Sequence, residues 1–590
     1  PSVVAHHLEE ALTISILFAV PGAPGRHRFA HELVREVLYD ELTAARAMSL
    51  HRRVGEALQS TYAAELDPHA AELAHHFAMA APVGTAGQAV RYATRAAERA
   101  REQLAYEESV RLFTTALNAH ELQRAADSET RCELVLALGD AQMRAGDAGS
   151  AQHSFRRAAD IARQAGWADR FARAALGYGG RNVWEPDHER TQRLSRLLEE
   201  ALAELPEDSL LRATVLARLA CAAGWYWGGP VEARLGLQES RSREAVELAR
   251  RLGDPATLGW ALTARVLIMW GPDGLDELLA LADESVRVAE QVGAWEEVAS
   301  GLAFRCEIRL TRGEIRQALG DLERHAALAE QLKLPTHMWQ AGAYQTEFML
   351  LMGRFTEAAA CIDQTLRRSA AHPAEAMETA VFQRFLLLLE QGRGHEELRP
   401  PLERLEADRP DDAIYSSLLA QLDCELGHYR KARARLDVLA GDGFRAARRD
   451  NQWLVAMALL AGVAAKVGNP EQVETLYELL RPYSALVAGE GHIRIGSVSR
   501  YAGILAAALS RLDEAVIFLR DAMETNDRIG ALPWSAHAKA DLARVLTARD
   551  APGDRETADD LLQQALATYR ELGMTVAAGK LAAEEQRTPG

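Results

Sequence analysis

Short turn signatures recur along this chain at nearly constant intervals, and that recurrence leaves few folds open. Trp184, Trp227 and Trp270 stand 43 residues apart, each ending an apolar run and opening a turn: WEPDHER, WGGPVEA and WGPDGLD. From Gly271 the beat continues at Gly313, Gly353, Gly392, Gly427 and Gly468, in steps of 42, 40, 39, 35 and 41 residues. Gly146-Asp147 and Ser510-Arg511 mark the same kind of turn toward the two ends. A second punctuation falls between these turns: QAGW at 164, RLGD at 251, QVGAW at 291, QLKLP at 331, RIGALPW at 528 and ELGM at 571. Two interleaved signals of one period, with amphipathic runs between them, predict stacked helical hairpins of about 40 residues each. The expected fold class is all-α, a helical-hairpin superhelix in which no unit buries its apolar face alone.

Composition agrees. Apolar residues make up 48% of the chain and aromatics only 6%, so Ala and Leu carry the core, and these favour helix over strand. The formal net charge is −17, and only five residues are Lys (333, 431, 466, 539 and 580). Arg is interspersed with Glu and Asp along helix faces, which predicts a salt-bridged surface and argues against a nucleic-acid groove. Five scattered cysteines without a CxxC pair argue against a disulfide framework or a Cys-rich zinc site, and fit a reducing cytoplasm. The longest apolar run, Trp453 to Ala465, falls short of a membrane span. The chain begins with Pro in mid-pattern and reads as a piece of something longer.

Residues 1–60 have a different grammar. VVAHHLEEAL predicts a helix, ISILFAV (14–20) and RHRFA a pair of strands about the turn PGAPG, and HELVREVLYDELTAARAMSLHRRVGEALQ one or two further helices. Leu33, Val37, Leu38, Leu42, Leu50, Val54 and Leu58 fall at helical spacing. Helix, β-hairpin and helix compose a small winged-helix remnant.

The string RFAHELVREVLY (28–39), with LHRRVGEAL at 50–58, resembles the winged-helix-to-repeat junction of bacterial STAND-class signalling ATPases, including large LuxR-type transcriptional regulators and their cyclase-linked relatives. AELAHHFAMA (71–80) and AVRYATRAAERAREQLAYEESVRLFTTAL (89–117) are similar to that family's first helical repeats. Farther on, GRFTEAAACIDQTL and GHYRKARARLDVL place Ala358 and Ala432 at a fixed offset from Phe355 and Tyr429, which resembles the second helix of a tetratricopeptide (TPR) repeat, though the pitch is longer. The expected organisation is a winged-helix remnant at 1–60, first repeats at 61–125 and a TPR-like sensor or scaffold arm at 126–590.

The resemblance implies a P-loop ATPase ahead of this junction, with ATP or ADP and Mg as cofactors of the parent protein, and self-association on switching. This chain holds no GxxxxGK[ST]; its only Gly-Lys pair is Gly579-Lys580. It is therefore expected to carry no cofactor of its own and not to be an enzyme. In some such ATPases a winged-helix His touches the phosphates of bound ADP, and His31 is the position here that the resemblance assigns to nucleotide sensing. The alternative for His31 is packing or capping at the start of its helix.

No catalytic or metal residues are expected. His31 and His395 begin HExxH-like strings, but Arg35 and Arg399 hold the second His position, which rules out a zincin. His6-His7 and His75-His76 are adjacent on helices and point apart. Gly177-Tyr178-Gly179-Gly180-Arg181-Asn182 misses GxGxxG at its last position, and no GxSxG is present. The remaining candidate is a ligand or partner surface at Trp184, Trp225, Trp227 and Trp270, on the concave face that stacked hairpins create, with core packing as its alternative. Three functions fit: the inducer- or protein-sensing arm of a STAND-type transcriptional regulator, the regulatory arm of a nucleotide cyclase, and a free-standing TPR-like adaptor. None involves direct nucleic-acid or membrane binding by this chain.

Overall fold

The computed structural model describes residues 2–20, 27–123, 127–180, 188–222, 231–369 and 373–585. Its contacts fall into two compact units, 1–170 and 171–590.

In the first unit α1 (Ser2–Thr13) leads to an antiparallel pair, β1 (Leu17–Ala19) with β2 (His27–Phe29), Leu17 opposite Phe29. Then come α2 (Glu32–Asp40) and α3 (Ala44–Thr61). Helix, hairpin and helix stand where the sequence places them; the PGAPG turn lies outside the described residues. Five further helices stack in sequence: α4 (Ala70–Met79), α5 (Ala86–Glu102), α6 (Tyr106–Glu121), α7 (Ser128–Arg144) and α8 (Ala148–Ala165). Small residues let them approach closely: Ala74, Ala89, Ala93, Ala97 and Ala116 are completely buried around Phe77, Tyr92 and Phe113. α7 packs on α6, and α6 on α5.

The second unit opens within α9 (Ala168–Gly179) and continues through α10 (His188–Glu204), α11 (Leu210–Ala222), α12 (Val231–Leu252), α13 (Pro255–Met269), α14 (Leu275–Gln291), α15 (Trp295–Thr311) and α16 (Ile315–Gln331). It goes on with α17 (Pro335–Leu351), α18 (Phe355–Arg368), α19 (Pro373–Gln391), α20 (His395–Asp408), α21 (Ala413–Glu425), α22 (Tyr429–Ala440), α23 (Trp453–Val467) and α24 (Pro470–Leu480). A β-hairpin that the sequence reading missed follows, β3 (Val487–Gly489) with β4 (Arg494–Ser497), and α25 (Val498–Ala508), α26 (Leu512–Ile529), α27 (Leu532–Arg549), α28 (Asp554–Glu571) and α29 (Thr575–Glu585) complete it. The fold is an all-α, TPR-like superhelix.

One turn chemistry serves both kinds of junction. A residue in the left-handed region ends the helix, and the next N–H donates to the carbonyl five residues back, the Schellman closure that satisfies orphan carbonyls. Within hairpins the donors are Asp147 to Gln142, Glu314 to Arg309, Arg354 to Met349, Arg393 to Leu388, His428 to Asp423 and Arg511 to Ala506, at 2.8–3.2 Å. Between hairpins they are Trp167 to Ala162, Ala294 to Ala289, Leu334 to Ala329, Ala531 to Asn526 and Met574 to Tyr569, at 2.8–3.0 Å. Helix starts use a different device. Asp147, Asp254 and Asn469 accept a backbone N–H, Asn469 in a reciprocal capping box with Gln472, and Pro255, Pro335, Pro470 and Pro533 sit at the first turn.

The helices of the α15–α16 hairpin are chemically unequal. α15 buries 12 of its 17 residues, all round its circumference, whereas α16 buries one stripe of five, so α15 lies inside and α16 outside. The inner helices do not face an open groove. Contacts at long sequence separation fold the superhelix onto itself: Tyr483 donates to Asp273 at 2.5 Å, Arg528 to the Gly313 carbonyl at 3.0 Å, and Lys580 pairs with Glu425 at 2.9 Å. Burial alone would raise the Glu425 carboxyl; Lys466 and Lys580 hold it down at about 2. The concave binding face expected from the repeat pattern is thus filled, over α13 to α27, by the chain's own later segments.

Gly392 tests this closure. Its φ is +64°, and an added Cβ would sit 2.4 Å from Val576 Cβ on α29. Gly427 has a φ of +74° but nothing within 4 Å. Gly427→Ala should cost about 1 kcal/mol of backbone strain and Gly392→Ala roughly 2–4, since a steric clash adds to the strain. Adding Val576→Gly, which removes both of the close carbons, should return the steric excess at a cost of about 1 kcal/mol for a glycine in α29. Urea denaturation midpoints of the three variants check this.

Candidate functional site

Two places gather the chemistry. In the second unit β3 and β4 occupy the inside of the superhelix, and β4 inserts Arg494 between two inner helices. Its Nη2 donates to Glu307 on α15 at 2.8 Å and its Nε to Glu347 on α17 at 3.1 Å, with all three side chains 1% exposed. Arg494 Nη1 also reaches Thr311 at 3.4 Å. Gly489 makes room, because a Cβ there would stand 2.3 Å from Arg494 Cζ. At the hairpin turn, Glu490 accepts from the Ile493 N–H and lies 3.2 Å from His492 Nδ1. Its carbonyl accepts from Asn451 at 3.0 Å, while Gln383 donates to the His492 carbonyl at 3.2 Å.

The charges do not balance: three buried carboxyls face one guanidinium and one imidazole. Burial pushes Glu307 well above the carboxylate range, reinforced by Glu347. Burial raises Glu347 as well, against the pull of Arg494. Burial lowers His492, but Glu490, joined by Glu378 and Glu347, outweighs this and carries it above its ordinary value.

The second place is the N-terminal end of the first unit. α2 buries none of its residues. Leu33 is 71% exposed and Val37 57%, and Leu38, Leu50 and Val54 are exposed too. Most of the stripe at helical spacing faces outward, with Leu42 and Leu58 half-buried. The reason is local: α3 packs on α4 through His51 and Gly55, the latter so close to Phe77 that a Cβ would meet its ring at 2.8 Å. His31 holds the N-cap position of α2 at φ −136°, ψ 141°; its exposed ring makes no capping hydrogen bond.

The tryptophan ladder fares differently. Trp184, Trp225 and Trp227 lie outside the described residues. Trp270 is 7% exposed, edge-on to Phe304 at 5.3 Å between ring centroids, with Gly491 of the hairpin turn against it. It is a core residue. No sequence signal singled out Arg494, Glu307, Glu347, Glu490 or His492; the alternation in Ile493-Arg494-Ile495 beside GEGH was the available cue.

No family model matches the sequence, and no curated protein matches it. Among solved structures the chain is similar to BtubC (BKLC) from P. vanneervenii, with 13% identity and a TM-score of 0.23, covering 50% of this chain and 91% of that one. It is also similar to the APC/C hetero-tetramer Cut9-Hcn1, with 12% identity and a TM-score of 0.29, covering 84% and 97%. With scores this low, the fold assignment rests on the packing described above. Among the described residues no helix is long and apolar enough to cross a membrane.

The ionic centre makes stability depend on pH with a definite sign. Glu307, Glu347 and His492 all have folded values raised above their unfolded ones, so each binds a proton more tightly in the native state. Their contribution is complete below the unfolded values, about 4.3 for Glu and 6.5 for His, and is lost as pH rises through the folded ones. Glu307→Gln should flatten this decline between pH 5 and 9. Arg494→Met leaves buried carboxyls unpaired and should cost about 3–5 kcal/mol. Thermal and urea unfolding across that pH range reads both.

Proposed function

We propose that this chain is the sensor and scaffold arm of a STAND-type, ATP-dependent signalling protein of the LuxR-type transcriptional regulators. The observation that carries the reading is the uncovered apolar surface of α2 and α3 in the segment resembling the family junction. Large apolar side chains left open on consecutive helices mark an interface. In the proposed architecture its occupant is the P-loop ATPase domain of the same protein.

His31 fits that arrangement. An exposed imidazole at a helix N-terminus is suited to a phosphate presented by a neighbouring domain. ATP or ADP and Mg then belong to that domain, and this chain is not itself an enzyme. The TPR-like arm takes a protein or inducer and biases the switch between its ADP and ATP states. With the inner face filled, the partner engages the outer helices or displaces the β3–β4 hairpin.

The test is to co-express this chain with the ATPase domain encoded ahead of it. The two should co-purify, and Leu33→Asp with Val37→Asp should abolish association while the helical circular dichroism stays unchanged. His31→Ala should speed ADP release from the complex. By itself this chain should show no calorimetric ATP binding; micromolar affinity, or no P-loop domain encoded upstream, would overturn the proposal.

A further inference from the structure

Three imidazoles meet in the first unit, brought from two helices. His51 of α3 is buried, His76 of α4 half-buried and His75 exposed. Each offers a ring nitrogen, and the three nitrogens lie within 4.8 Å of one another. His51 Nδ1 stands 2.8 Å from His76 Nδ1, and the ring centroids are 5.0–5.5 Å apart in all three pairs. Adjacent histidines on a helix diverge, as the sequence implies, but His51 enters where nitrogens from both can reach it.

We propose that His51, His75 and His76 form a binding site for a divalent first-row transition metal, with zinc as the reference ion. Imidazole is the ligand these ions share, and three histidines with an open side match a site completed by water or a further donor. At metal–nitrogen distances of about 2.0–2.1 Å, tetrahedral ligand nitrogens stand roughly 3.4 Å apart, so the rings need only small adjustments.

Two further features support it. Tyr39 Oη lies 2.8 Å from His51 Nε2. An Nε2–H donated to Tyr39 leaves Nδ1 unprotonated and aimed at His76, the outer-shell contact that fixes a ligating histidine. Metal binding also needs neutral rings. His51 is lowered by burial and by His75; His76 is lowered by burial, His51 and His75, against the opposing charge of Glu72. Without an ion, the cluster satisfies itself with one hydrogen bond between two nitrogens that cannot both carry the proton. All ligands lie within α3 and α4, so the site does not rest on the ATPase reading.

The experiment titrates the full chain, stripped with chelator, with zinc chloride alone in a calorimeter, and with cobalt chloride followed by absorption. One equivalent should bind, with a nitrogen–oxygen cobalt spectrum lacking thiolate charge transfer, which separates the site from the five cysteines. His75→Asn with His76→Asn should abolish that equivalent, His51→Asn should weaken it at least about tenfold, and Tyr39→Phe about tenfold at unchanged stoichiometry. His69→Asn, a neighbour that stacks on Tyr62 instead, should bind as the parent does. The double variant alters partly open positions and decides the matter even if the His51 variant fails to fold. No stoichiometric zinc binding, binding that survives the double variant, or a thiolate cobalt spectrum overturns the proposal.

Discussion

The second unit turns on one guanidinium. Arg494 lies between Glu307 and Glu347 with no exposure to speak of, and a charge so placed is tolerated only while both partners stay in position. β4 lies well over a hundred residues beyond both α15 and α17, so the ionic centre ties the start of a superhelical turn to its end. Such a centre contributes little net stability against an apolar replacement, because desolvation offsets the attraction. What it specifies is register: sliding the hairpin by one residue would bury Ile493 or Ile495 against two carboxyls.

That closure changes what a repeat array of this kind can do. An open solenoid offers its concave face, and its hairpins couple only to neighbours. Here Asp273 with Tyr483, Gly313 with Arg528 and Glu390 with His537 couple hairpins that are far apart in sequence. A ligand that strains any of these contacts acts on the whole turn. The raised Glu307 carboxyl adds a constraint, since displacing the hairpin would admit water and let it ionise more readily.

Much of the fold was legible because its punctuation is chemical. The turns at Gly146, Gly313, Gly353, Gly392, Gly427 and Ser510 were read from the sequence, and each closes by the same hydrogen bond. The β3–β4 hairpin escaped because it leaves the beat intact. Gly468 and Ser510 remain 42 residues apart, and α24 and α25, at eleven residues each, are shortened to admit the strands. Trp270 was visible as a position but not as an environment: helix-ending tryptophans read alike whether they line a cleft or, as here, meet Phe304 and Gly491. The three-histidine cluster was hidden for a simpler reason, since His51 lies 24 residues before His75 and no local pattern joins them.

The histidine cluster and the open apolar stripe have one cause, the rotation of α3 about its axis. Placing His51 and Gly55 against α4 turns Leu50 and Val54 outward. A helix with free choice would do the opposite, since burying a leucine and a valine is worth about 1.5–3 kcal/mol each. Two things hold the observed orientation. Gly55 admits Phe77 at a distance that no side chain would allow, and Tyr39 with His76 engages both ring nitrogens of His51. An ion bound among the three imidazoles would strengthen that orientation, and a partner covering Leu50 and Val54 would recover the burial it forgoes. Each would then favour the other through α3, without any contact between metal and partner.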